Sequence, residues 1–368
     1  GVLRKKPHVP IAALRVGSPV LHPDLLVKWP ANQATVVGLG SEILKVFEGP
    51  RVLFPDGFSK DEQNVRAVYY DGPASFTHSI GVIAGPEQDS ALLQFVAVYL
   101  RSTLARYFLM MRGWKMLCER NGVHLSDVET FPFFEPDDAP HPDAARTALK
   151  LVEKHMTALS SLADLEQVPR YDALRDQLDD AIFSYFGLTS EEQMLVRETV
   201  NILMPSVRPR SFRSLDTPTQ HRVEADDIKI YASVLAAALT NWRTKTHGQG
   251  RFQVEVVASD PRRAGPCGIV RISYRQHPTG KAVISFKISD ELVLTTLAEL
   301  RRLGLHVIPS GNLLTLVPDM HLWTAEPLSL VRPLARRNWT RRQAQRDAEY
   351  IVRSVQAQPY GQEKADMA

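Results

Sequence analysis

Cysteine is scarce in this 368-residue chain: Cys118 and Cys267 lie far apart, with no partner at Cys-x-x-Cys spacing and no histidine cluster nearby. That scarcity excludes a disulfide scaffold and a four-ligand zinc site, and predicts two free thiols in a reducing compartment. Long apolar runs are also missing. Spanning a bilayer takes roughly 18 to 20 apolar residues, and Arg101 and Arg106 interrupt the longest run here. With no secretory signal either, a cytoplasmic location without membrane contact is expected.

The strings that carry common chemistries are absent as well. There is no GxxxxGKS, HExxH or GxSxG, and nowhere do two prolines adjoin. Phosphate-loop hydrolysis, zincin proteolysis and nucleophile-elbow esterase chemistry therefore have no carrier. Gly38, Gly40 and Ser41 read as an ordinary turn, because no third glycine and no βαβ unit surround them. Neither Pro55-Asp56 nor Pro318-Asp319 is followed by the acidic-x-Lys strand of a nuclease. Asp137 with Asp138, and Asp179 with Asp180, are neighbours that cannot face one site from a helix, so solvated surface is expected for them. The first residue is Gly rather than Met, which points to an expression scar or to a fragment lacking its natural N-terminal portion.

What is present is an ordinary globular composition, 44% hydrophobic and 23% charged, long enough for two or three domains. Charge is unevenly placed. Residues 131–200 carry 14 acidic against 6 basic side chains, whereas residues 201–368 carry 24 basic against 15 acidic. Basic ends around an acidic middle suit a polyanionic partner held from two sides.

Residues 1–42 are rich in proline and read as irregular with short extended pieces. VLFPDG, VRAVYY and SIGVIAG have the β-branched and aromatic content of strands. One long helix is expected from Asp89 to Met111, capped by Asp/Ser and ended by Gly113. Helices follow from Pro142 to Glu166, from Pro169 to Gly187, and from a Thr189/Glu192 capping box to Leu203. Beyond the linker PSVRPRSFRSLDTPTQ, a helix from Asp226 to Thr244 precedes strands FQVEVVA, GIVRISY and AVISFKI. A helix from Asp290 to Arg302, the segments LLTLVPD and HLWTAEPLSLV, and a basic helix from Thr340 to Val355 complete the pattern. The fold class expected is α+β: a mixed domain of short strands and a long helix over 1–136, a helical spacer over 137–205, a linker over 206–218, an α+β domain with a mostly antiparallel sheet over 219–358, and a disordered tail over 359–368.

FEGPRVLFPDGFS, then VRAVYYDGPASFTHSIGVIAG, then the helix LLQFVAVYLRSTLARYFL, then a Gly-Trp-Lys and an Arg before VETFPFFEP, resemble the target-recognition region of adenine-N6 DNA methyltransferases of restriction-modification and phage-defence systems. LDDAIFSYFGLTSEEQMLVRETV is similar to the helical segment that follows it there. The likeness covers about residues 43–205, and LSLVRPLARRNWTRRQAQRDAEYI weakly resembles tail segments of some of these proteins. The resemblance implies duplex DNA as a partner, and bacterial defence-system subunits as further ones. Such an enzyme also needs a glycine-rich S-adenosylmethionine loop and an Asn/Asp/Ser-Pro-Pro-aromatic motif for the flipped base. Neither is here, so the expectation is a specificity portion with no catalytic residue and no metal. S-adenosylmethionine and methyl transfer would belong to a catalytic domain or subunit elsewhere. A non-enzymatic interaction scaffold in a defence complex is the other reading, with the helical middle and basic tail meeting partner subunits.

Residue type and expected placement on turns and helix ends select the DNA contacts: Arg51, Lys60, Arg66, Arg112, Lys115 and Arg120 for phosphates and guanines, Trp114 for a sugar or base, and His78 and Ser79 as polar contacts. In the tail, Arg336, Arg337, Arg341, Arg342 and Arg346 with Trp339 form a dense basic helix start suited to phosphates. Docking onto an acidic protein surface fits that start as well.

Overall fold

Pro50–Pro55 is buried at every position, the mark of a strand covered on both faces. The structure is a computed structural model that describes residues 2–29, 45–56, 65–112, 125–207, 217–260, 267–276, 284–302, 320–322 and 328–356. The chain divides into two compact units, Gly1–Arg208 and Pro209–Ala368.

In the first unit that strand, β1, is the centre of a three-stranded sheet ordered β2-β1-β3, with β2 (Val68–Asp71) and β3 (Ile80–Ala84) both antiparallel to it. Alternation along β1 sends Val52 and Phe54 into one core and Leu53 into another. Leu53 meets Val9, Leu14 and Leu21, so the proline-rich N-terminal segment lies over one face of the sheet. Where described it holds a short α-helix, Ile11–Arg15, two 3-10 turns, Val2–Lys5 and Pro23–Leu25, and isolated bridges such as Val20 with Tyr69.

The other face is covered by helices. The single helix expected after β3 is two, α1 (Ser90–Arg101) and α2 (Thr103–Arg112). Between them Ser102 is extended, with φ −73° and ψ 163°. Two polar anchors account for the break. The Arg101 guanidinium donates to the carbonyls of Gly17, Ser18 and Ala67 and lies 4.6 Å from the Tyr171 ring centroid. Asp179 accepts from the Thr103 amide at 2.9 Å and from its hydroxyl, while the Ser102 hydroxyl accepts from the Ala105 amide at 3.2 Å. Helix α2 is thereby capped twice at its start.

Helices α3 (Pro142–Ser160) and α4 (Asp164–Tyr185) pair as a hairpin. The turn falls before Pro169 rather than at it. Proline inside a helix loses one backbone hydrogen bond, but tertiary contacts hold this first turn: the Ser18 hydroxyl donates to Asp164, and the buried Gln167 carboxamide accepts from the Val20 amide at 3.4 Å. α5 (Ser190–Glu198) starts with the expected capping box of Thr189 and Glu192 and runs into a π turn, Thr199–Leu203. Val152, Met156, Leu178, Ile182 and Phe183 from these helices share one core with Val52, Phe54 and Leu93. The helical segment is thus part of the first unit's core and not a spacer, and the boundary expected near residue 136 does not interrupt that core.

In the second unit, α6 (Ala225–Lys245) precedes β4 (Arg251–Ala258), β5 (Cys267–Arg275), β6 (Ile284–Ile288), α7 (Asp290–Arg302), β7 (Met320–Leu322), β8 (Leu328–Pro333) and α8 (Arg341–Gln356). The sheet order is β6-β4-β5-β8-β7, parallel only between β4 and β6. The α+β class with a mostly antiparallel sheet is therefore the observed one. Val254, Val256, Val270 and Leu330 point at α6 and α8, and Val257, Ile269 and Val331 point at α7, so helices cover both faces. LLTLVPD, Gly113, the linker core and the tail from residue 357 lie outside the described residues.

Candidate nucleic-acid interface

In the first unit the register of the sheet sorts the candidate residues between its two ends. Pro55 pairs with Ile80 and Leu53 pairs with Val68, which brings Asp56, Arg66, His78 and Ser79 to one end. Arg51 pairs with Tyr70 and Ala84 toward the other. His78 is exposed. The Ser79 hydroxyl is shared with Thr77 at 2.9 Å, and the Ser79 carbonyl accepts from the Asp56 amide at 3.1 Å. Arg66 is half-buried and donates to the Arg15 carbonyl, which ties the N-terminal segment to the same end. Arg101 reaches the Ala67 carbonyl there, so α2 departs from this end and carries Arg112, exposed, with one nitrogen 3.4 Å from the Thr130 carbonyl. Lys60, Trp114, Lys115 and Arg120 lie outside the described residues.

Arg51 has a different role from the one expected. It has no exposed surface, and its guanidinium donates to Gly49 O at 2.7 and 3.0 Å, to Val46 O at 3.1 Å, and to Gly72 O. Burial pulls its pKa down, against the opposing influence of Tyr70, Asp71 and Glu48. Gly49 and Gly72 sit at φ +74° and +144°, so Arg51 closes two turns that need glycine and reaches no phosphate.

The neighbouring acids are also sorted. Asp180 faces outward and pairs with Arg197 at 2.7 Å, whereas Asp179 is buried against Thr103 and is not the solvated carboxylate expected. Asp137 and Asp143 both bind Arg146. The acidic middle of the chain thus carries several of its own counter-ions.

In the second unit, the residues expected at a basic helix start divide between core and surface. Trp339 is 1% exposed; its indole N–H donates to the Pro333 carbonyl at 2.8 Å, and its ring meets Tyr231 edge-on at 5.2 Å. A Cβ on Gly268 would stand 2.5 Å from that ring, so strand and indole touch closely. Trp339 is a core residue and offers no face to a base. Arg336 pairs with Asp227 at 3.3 Å, Arg337 and Arg341 are exposed, and Arg342 is half-exposed.

Sequence reasoning missed the group that fixes this helix. Arg332, with no exposed surface, donates to Asp347 at 2.7 Å and to the Asn338 carbonyl at 3.0 Å, and the Tyr231 hydroxyl donates to the same carboxylate. A buried Arg–Asp pair with its lone pairs satisfied anchors α8 to both β8 and α6. Its only sequence signal is Asp347 on the apolar stripe of α8, beside Ala344, Ala348 and Ile351.

No protein-family model matches the chain, and no curated protein matches it. Among the described residues no cluster of His, Cys, Asp or Glu could hold a metal ion, and no helix is long and apolar enough to cross a membrane. Cys267 is a free, buried thiol, pushed up to about 11 by burial and by Asp290, so it does not act as a ready nucleophile. Among the described residues of this unit, the parallel pairing of β4 with β6 has β5 between its members in the chain.

Proposed function

We propose that this chain is the DNA-recognition portion of an adenine-N6 DNA methyltransferase of a restriction-modification or phage-defence system. It would position duplex DNA in the cytoplasm for a catalytic domain or subunit that holds S-adenosylmethionine. The observation that carries the reading is the gathering of Arg66, His78 and Ser79 at one end of the first unit's sheet, from which α2 extends Arg112 into solvent. Cationic and hydroxyl side chains on loops at one rigid sheet end are a geometry suited to phosphates and base edges. A recognition module for base-flipping chemistry must also hold a distorted duplex, which calls for phosphate contacts away from the reading site. Taken by itself, the second unit has Arg337, Arg341 and Arg342 with the chemistry for phosphate contacts.

Titration of labelled duplex DNA with the chain at rising salt is the test. Binding at low salt that weakens steeply as salt rises is expected, with a further loss when Arg112 and Lys115 are both replaced by Ala. Undetectable binding at low salt overturns the reading and leaves the interaction scaffold. Methyl transfer to DNA by this chain alone, given S-adenosylmethionine, overturns the assignment of catalysis to another domain or subunit.

A further inference from the structure

The solvent face of α8 continues the basic surface beyond the residues at its start. Arg342, Arg346 and Arg353 are separated by four and seven residues, which on an α-helix of 3.6 residues per turn sets them within about 40° of one another. The stripe is about 16 Å long at 1.5 Å per residue. The two acidic residues of the helix are disposed so as to leave it positive. Asp347 is turned inward and neutralised by Arg332, and Glu349 alone lies on the stripe. Among the described residues Arg346 and Arg353 have no anionic or carbonyl partner, and both are exposed.

The first turn is unusual too. It contains no acidic residue, and Arg341 and Arg342 occupy it at the end where the helix dipole disfavours cations. Duplex DNA carries about one negative charge per 1.7 Å of axis, so a row of cations about 16 Å long meets a dense array of phosphates.

We infer that α8 is a sequence-independent phosphate track that holds one strand of duplex DNA through Arg342, Arg346 and Arg353, distinct from the reading end of the first unit. The duplex as occupant rests on the proposed DNA-recognition function; the stripe itself does not. Arginine without a base edge to reach adds affinity to every sequence alike.

The full chain is titrated with 20-base-pair duplexes of several unrelated sequences at a series of salt concentrations. Replacing Arg342, Arg346 and Arg353 together with Ala is expected to weaken all duplexes by a similar factor and to lower the slope of log affinity against log salt by about 2 to 3, near 0.9 per lost contact. Glu349→Gln, which adds no bulk, is expected to strengthen binding; an unchanged thermal melt of both variants shows that the fold persists. An unchanged slope in the triple variant, with the parent chain binding, overturns the phosphate track and leaves the recognition reading intact. Absence of binding by the parent chain overturns both. Displacement of the duplex by poly-L-glutamate at equal charge concentration also overturns the track, in favour of an acidic protein partner.

Discussion

Asp179 stands where a helix must restart inside a core. It serves Thr103 as an acceptor twice, yet burial outweighs those hydrogen bonds and the nearby Arg197 and Arg175, so its pKa is raised from the usual carboxylate value. The direction sets the sign of the pH dependence. A carboxyl whose folded pKa lies above its unfolded one binds more protons when folded, so its contribution is most favourable at low pH and is lost as pH rises through the folded pKa. Asn at this position retains an acceptor for the Thr103 amide and cannot ionise. The melting temperature of Asp179→Asn relative to the parent is therefore expected to grow more favourable between about pH 4 and pH 8. A difference that stays constant over that range would show that Asp179 keeps an ordinary pKa.

Elements were legible where their determinants are local. The strands of the first sheet, the capping box at Thr189 and the amphipathic stripes of α3 and α4 follow from residue type and period within a few neighbours. The break at Ser102 was not, because it depends on Asp179, 76 residues away in sequence, and on Arg101 seeking carbonyls of the N-terminal segment. The site divides the same way. Arginine-rich turns and the basic tail helix could be read, but that Arg51 and Trp339 face inward could not, since burial is decided by segments that pack over them. If the Ser102 cap matters as the geometry implies, Ser102→Ala lowers stability by about 0.5 to 2 kcal/mol in urea denaturation. The effect shrinks when Asp179→Ala is already present, because both side chains cap the same turn. Additive losses would mean that the two caps act independently.

At the scale of the whole molecule, each compact unit has cores of its own, and a perturbation in one core need not reach the other. Arg332 provides the sharpest probe of the second unit. Asp347→Ala leaves a guanidinium of zero exposure without its carboxylate, a change that costs about 3 to 5 kcal/mol. For a unit of this size that corresponds to a fall of roughly 10 °C in its melting transition. Calorimetry of the full chain is expected to show that transition shifting downward in Asp347→Ala while the transition lowered by Ser102→Ala stays in place. Replacing the pair together, Arg332→Met with Asp347→Leu, should restore most of the loss, since an apolar pair of similar volume removes the uncompensated charge. A single transition that moves as a whole in both single variants would mean that the two units unfold as one cooperative body.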